Sequence, residues 1–104
     1  MDKNYTLEYL PQFEYDMAAV RDYIINKLQN PTAAFRLMED AEKAIFDRLN
    51  NPLAFQPYPS VRKRKHPYYR INVRNYSIFY VVIGNVMEVR RFLYSKRNLP
   101  EILQ

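Results

Sequence analysis

Ten of the sixteen Lys and Arg residues lie between Arg62 and Arg97, a stretch of 36 residues in which Glu88 is the only acid. Tyr58, Tyr68, Tyr69, Tyr76, Tyr80 and Tyr94 are interleaved with these cations, and the one histidine, His66, stands between Lys65 and Pro67. Cations at that density attract polyanions, while tyrosine offers a stacking face for a base or a phenol for hydrogen bonding. The chemistry such a set could perform is metal-free RNA cleavage. A base takes the 2′-hydroxyl proton, an acid protonates the leaving oxygen, and cations offset the crowded phosphate charge. His66 is a candidate base in an exposed loop. Tyr94, beside Lys96 and Arg97, is the tyrosine best placed to act, whereas Tyr69 and Tyr80 read as core. Only Glu88 and Glu101 follow Ser60, too few clustered oxygens for a hard cation, so no metal or other cofactor is expected. Composition leaves the anion open among RNA, DNA and an acidic protein segment.

The charge is divided along the chain. The first 59 residues hold six bases and nine acids, a net −3, and the remainder ten bases and two acids, a net +8. A chain of 104 residues is expected to form one domain, 1–104, with a single core. The absence of cysteine excludes disulfides and thiolate chemistry and fits a reducing compartment. Residues 1–9 are polar and mixed in charge, unlike a signal peptide, and the longest apolar run, Ile78–Ile83, is too short for a membrane span. A cytoplasmic protein with no membrane partner is the expectation. A single glycine, Gly84, excludes glycine-rich phosphate loops.

Tyr5, Leu7 and Tyr9 alternate with polar residues, the pattern of a strand. Pro11 can open a helix, and Phe13, Met17, Val20, Ile24 and Leu28 form one apolar face of it to about Gln29. Asn30-Pro31 supplies a cap and a first-turn proline for a second helix with Ala34, Met38, Ala41, Ile45 and Leu49 as its inner stripe. Asn50-Asn51-Pro52 ends it. The short link between these segments predicts an antiparallel helical hairpin. Leu53–Pro67 carries three prolines and the run Arg62-Lys63-Arg64-Lys65, and reads as an ordered loop.

Three strands should close the chain. Tyr69, Ile71 and Val73 alternate with Arg70, Asn72 and Arg74, one apolar and one cationic face. Ser77–Ile83 is apolar from Ile78 onward, as a central strand covered on both sides should be. Gly84-Asn85 is a hairpin turn leading to a strand from Val86 to about Tyr94. Strict alternation in that strand puts Arg90 and Arg91 on opposite faces, so one is buried unless a bulge re-aims it, and a buried arginine needs a carboxylate or carbonyl partner. Glu88 can pair with Arg90 beside it. The order predicts an α+β fold, β-α-α-β-β-β, with the N-terminal strand and helical hairpin packed on a mostly antiparallel four-stranded sheet. Its arginines are expected to share one outward face.

With these segments in order, the chain resembles the RelE/ParE superfamily, toxins of bacterial type II toxin–antitoxin pairs. The likeness includes Asn30-Pro31-Thr32-Ala33-Ala34 and Leu49-Asn50-Asn51-Pro52 bounding the second helix, then Tyr69-Arg70-Ile71-Asn72-Val73 and Tyr76–Tyr80. The tail from Glu88 to Leu99 looks like the closing pattern of the superfamily. The resemblance implies a growth-inhibiting toxin neutralised by a cognate antitoxin whose C-terminal segment wraps it. RelE-like members cleave mRNA in the ribosomal A site without metal. On that pattern Arg70, Tyr94 and Arg97 are the catalytic candidates, and Arg62, Lys63, Arg64, Lys65, Arg74, Arg90, Arg91 and Lys96 the nucleic-acid contacts. Asn72, Ser77 and Tyr94 depart from the lysine, arginine and histidine common at those places. ParE-like members inhibit DNA gyrase and need no catalytic residues, and the tight hairpin and the Arg97-Asn98-Leu99-Pro100 tail look at least as much like that branch. The leading expectation is a ribosome-dependent mRNA endonuclease. The alternative is a gyrase inhibitor, with a non-toxic nucleic-acid-binding module as a third possibility. The partners implied are the antitoxin and either mRNA on the ribosome or DNA gyrase.

Overall fold

Residues 4–60 and 63–103 are described by the structure, a computed structural model. Its elements run β1 (Thr6–Tyr9), α1 (Pro11–Asn26), α2 (Pro31–Leu49), β2 (Tyr69–Val73), β3 (Tyr76–Ile83), β4 (Val86–Tyr94) and α3 (Leu99–Ile102). Only Leu10 separates β1 from α1, and Pro11 takes the first helical turn, where no amide partner is lost. At the next start the Asn30 side-chain oxygen accepts the Ala33 amide at 3.1 Å, the expected cap. Helix α1 stops at Asn26, earlier than its apolar period suggests. Gln29 turns back with φ of 50°, and Leu28 is left exposed rather than joining the core. Helix α2 buries Leu37 together with Ala34, Ala41 and Ile45, a wider stripe than the five-residue reading.

The sheet order is β1-β4-β3-β2. Pairings β2–β3 and β3–β4 are antiparallel, while β1 joins β4 in parallel, Leu7 opposite Met87. The helical hairpin lies on one face, over Tyr69, Ile71, Ile78, Tyr80, Met87, Val89 and Phe92. Full burial of each such side chain contributes about 2 kcal/mol. Gly84 turns β3 into β4 with φ of 62°, the left-handed region that glycine enters freely.

Both faces of β3 are covered, as its unbroken apolar run predicts, with Ser77 through Val81 all buried. The cover on the second face is α3, an element that sequence periodicity did not suggest. Leu99 and Leu103 are buried with Phe79 and Leu93, and Tyr58, Tyr68 and Ile102 pack around them. Tyr58 and Tyr68 meet Phe79 edge-on at 5.1 and 6.2 Å. No helix among the described residues is long and apolar enough to cross a membrane.

Candidate functional site

A bulge in β4 decides where the arginines go. Tyr80 lies opposite Val89, but Phe79 lies opposite Arg91, so Arg90 is an extra residue in that strand. Beyond the bulge the alternation is inverted. Phe92 joins Met87 and Val89 under the helices, and Leu93 joins Phe79 on the other face. Tyr94 is opposite Tyr76.

The expected common face of arginines does not form. Arg91 reaches Asp16 of α1, Nε to Oδ2 2.8 Å and Nη2 to Oδ1 3.2 Å. Arg74 occupies the β2–β3 turn in the left-handed region, φ 53°, and its guanidinium crosses to Asp40 of α2 at 2.6 and 2.9 Å. These two therefore turn toward the helices. Arg70 and Arg90 remain on the other face, and Arg90 pairs with Glu88 at 2.8 Å, as the sequence suggested. Burial opposes the Arg90 charge, but Tyr68 and Glu88 outweigh it and raise the pKa above the ordinary arginine value. The four guanidinium groups are split two and two, and three are neutralised locally.

Arg70 has no carboxylate partner among the described residues. Its Nε donates to the Ser77 hydroxyl at 2.8 Å, and the buried Ser77 oxygen is also 2.7 Å from Ser95 Oγ and donates to Asn72 Oδ1 at 3.4 Å. The guanidinium stands 5.7 Å from the Tyr58 ring and 5.9 Å from Phe79. It is an oriented cation at the margin of the α3 cover.

Tyr94 belongs to the opposite face. Its ring meets Tyr76 edge-on at 5.8 Å, and Tyr76 stacks on the helix-side Phe92 at 5.0 Å. Burial, with smaller contributions from nearby Tyr23 and Tyr94, pushes the Tyr76 phenol up. Tyr23 and Tyr94 are exposed, and the turn that follows Tyr94 presents Lys96 and Arg97 to solvent. That turn is held by the Arg97 amide on the Tyr94 carbonyl at 3.1 Å and the Ser95 amide on the Asn75 carbonyl at 2.8 Å. One end of the molecule thus carries tyrosine rings beside two exposed cations.

In the basic run Lys63 and Lys65 are exposed, while Arg64 folds onto Tyr68 and donates to the Leu103 carbonyl, tying the loop to the C-terminal segment. Arg62 lies outside the described residues. His66 is half-buried. Among the described residues no three His, Asp or Glu side chains come together in the manner of a metal site. Sequence reasoning missed Asp16 and Asp40 as the partners of Arg91 and Arg74. The available signal was an acid, Asp16, directly beside the inward Met17.

Comparison with known proteins bears on this geometry. A family model described as ParE toxin of type II toxin-antitoxin system, parDE, matches residues 7–99. No curated protein matches the chain in sequence. Among solved structures, the chromosomal ParDE TA system from P. aeruginosa is similar with a TM-score of 0.74 at 15% identity, covering 90% of this chain and 99% of that one. The E. coli DinJ-YafQ complex is similar with a TM-score of 0.60 at 16% identity, covering 86% of this chain and 92% of that one. At these identities the likeness is one of fold.

Proposed function

We propose, from the premise that this chain belongs to the ParE toxin family of type II toxin–antitoxin systems, that it arrests growth by binding a protein target, DNA gyrase, rather than by cutting RNA. The observation that carries this reading is the separation of Arg70 from Tyr94 by the thickness of the sheet. A phosphate held at Arg70 is out of reach of the Tyr94 phenol, and acid–base cleavage needs both within hydrogen-bond distance of one reacting group. The α3 cover further closes the face on which Arg70 stands.

Protein binding makes different demands, and the Tyr94 end meets them. Tyrosine and arginine dominate the energetically decisive positions of interfaces, because each offers wide contact area and polar atoms at low entropic cost. Tyr23, Tyr76, Tyr94, Lys96 and Arg97 bring both kinds together where the described residues leave them open to solvent or half-buried. This end is the target-binding surface. An antitoxin is the second partner, and it neutralises the toxin.

Arg70 favours a second reading, the ribosome-dependent mRNA endonuclease, since it is preoriented by Ser77 and has no carboxylate partner among the described residues. Brief induction in growing cells separates the two. Gyrase inhibition produces a DNA-damage response with mRNA ends unchanged by primer extension. New mRNA ends without that response support the endonuclease, and no effect on growth removes both.

A further inference from the structure

The side of the sheet opposite the helical hairpin has a charge pattern of its own. Residues 63–70 and 95–103, which make up α3 and its surround, hold six bases and one acid, whereas α1 and α2 hold seven acids and four bases. A polyanion is therefore drawn to the α3 side and repelled from the hairpin. Arg64 donates to the Leu103 carbonyl, which brings Lys63 and Lys65 to the C-terminal end of α3. At the other end the Leu99 amide donates to the Arg97 carbonyl at 2.8 Å, which sets Lys96 and Arg97 there. Leu99 and Leu103 are only about 6 Å apart along the helix axis, so the two pairs of cations flank one short element. Lys63, Lys65, Lys96 and Arg97 are all exposed, and none has a carboxylate partner among the described residues. Glu101, the single acid, is engaged by Asn98 Nδ2 at 2.7 Å.

The aromatic groups decide between kinds of polyanion. Single-stranded RNA is held through bases stacked on open rings. Tyr58 and Tyr68 are the tyrosines on this side, and both are half-buried, edge-on to Phe79 and against guanidinium groups of their own chain. The exposed ring of Tyr94 lies on the opposite face with Tyr76. What the α3 side offers instead is mostly lysine, a point charge that meets phosphate and reads no base. A duplex keeps its bases stacked inside and presents one phosphate charge per about 1.7 Å of axis, so it is the polyanion that such a surface fits.

We propose that the α3 side, through Lys63, Lys65, Lys96 and Arg97, binds the phosphate backbone of duplex DNA without regard to sequence. This goes beyond the reading of the Tyr94 end as a target-binding surface, because it gives a second ligand to a second side of the sheet. Lys96 and Arg97 stand where the two surfaces meet, whereas Lys63 and Lys65 belong to the α3 side alone. A toxin held on DNA is concentrated where an enzyme that acts on DNA works.

The test follows the fluorescence anisotropy of a labelled, mixed-sequence duplex of about 20 base pairs with the purified full chain, between about 50 and 200 mM salt. Four phosphate contacts give a slope of log affinity against log salt of about −3.6, a loss of about 150-fold across that range. Lys63→Ala combined with Lys65→Ala should weaken binding about tenfold or more at the lower salt and reduce the slope by about 2. Lys43→Ala, on the exposed side of α2, should keep the parent affinity and slope. All three lysines are exposed, and far-UV circular dichroism checks that each variant is folded. Absence of duplex binding at the lower salt overturns the proposal. Parent-like affinity and slope in the double variant, or an equal loss in Lys43→Ala, overturns it as well. Tighter binding of a single-stranded RNA of the same length assigns the α3 side to RNA instead, and polyglutamate that competes as well as the duplex assigns it to an acidic protein segment. Lysine-dependent duplex binding by a chain that raises no DNA-damage response upholds this face and removes gyrase as the target.

Discussion

Asp16 and Arg91, 75 residues apart in sequence, form a two-point contact across the interface between α1 and β4. The same Asp16 Oδ2 accepts the Phe92 amide at 3.0 Å, so one carboxylate satisfies both the guanidinium and a backbone donor that the bulge frees from the ladder. Little of the pair is exposed, 23% of the arginine side chain and 10% of the aspartate. Asp16→Ala removes one partner and leaves a desolvated cation and an orphan amide, a change that costs about 3 kcal/mol. Replacing both together, Asp16→Leu with Arg91→Met, should cost clearly less. A double-variant loss equal to the sum of the two single-variant losses, measured by urea unfolding, would show that the contact is not coupled.

Tyr80 ties the α2–β2 loop to the sheet. Its hydroxyl donates to the Pro52 carbonyl at 2.7 Å and accepts from Arg48 Nη1 at 2.9 Å. Burial raises the phenol pKa above 10.0, an effect that the nearby Arg48 only partly offsets. A phenol whose folded pKa exceeds its unfolded value adds stability that is complete below about pH 10 and lost as pH rises through the folded pKa. Tyr80→Phe should cost about 1–3 kcal/mol at neutral pH, because Pro52 and Arg48 lose their partner. It should also flatten the decline in stability above pH 10. Unfolding midpoints at pH 8 and pH 11, read alongside tyrosinate absorbance, check both.

Arg70 and Arg97 make opposite demands on the two readings of toxicity. If the Tyr94 end meets a protein target, Arg97→Ala with Tyr94→Ala abolishes growth arrest by weakening target binding at least 100-fold, while Arg70→Ala arrests growth as the parent does. An RNA-cleaving enzyme gives the reverse for Arg70, with toxicity and mRNA cleavage lost together. Antitoxin binding persists in both variants. Colony counts after induction, paired with antitoxin pull-down, separate these outcomes.

Leu99 seals the face that holds Arg70. It is buried against Phe79 and Leu93, so Leu99→Ala should cost about 2–4 kcal/mol, the usual range for emptying such a site. It should also increase binding of a hydrophobic dye as Phe79 and Leu93 become accessible. An unchanged melting temperature would mean that α3 is not a structural cover.

The order of elements from β1 to β4, the starts of α1 and α2, the core tyrosines Tyr69 and Tyr80, and the β3–β4 turn were legible from the sequence alone. Each depends on contacts within a few residues: a proline in a first turn, an asparagine cap, a strand's alternation, a glycine at positive φ. The Glu88–Arg90 pair was readable for the same reason, two positions apart on one strand. What the tertiary structure decided was the destination of the remaining cations. One inserted residue at Arg90 inverts the faces of β4, and the carboxylates that meet Arg74 and Arg91 come from helices 34 and 75 residues away. Sequence periodicity assigns a residue to a face but carries no record of which distant group stands there. The charge excess of the C-terminal half was therefore visible at once, while its division between two sides of a sheet had to await the fold.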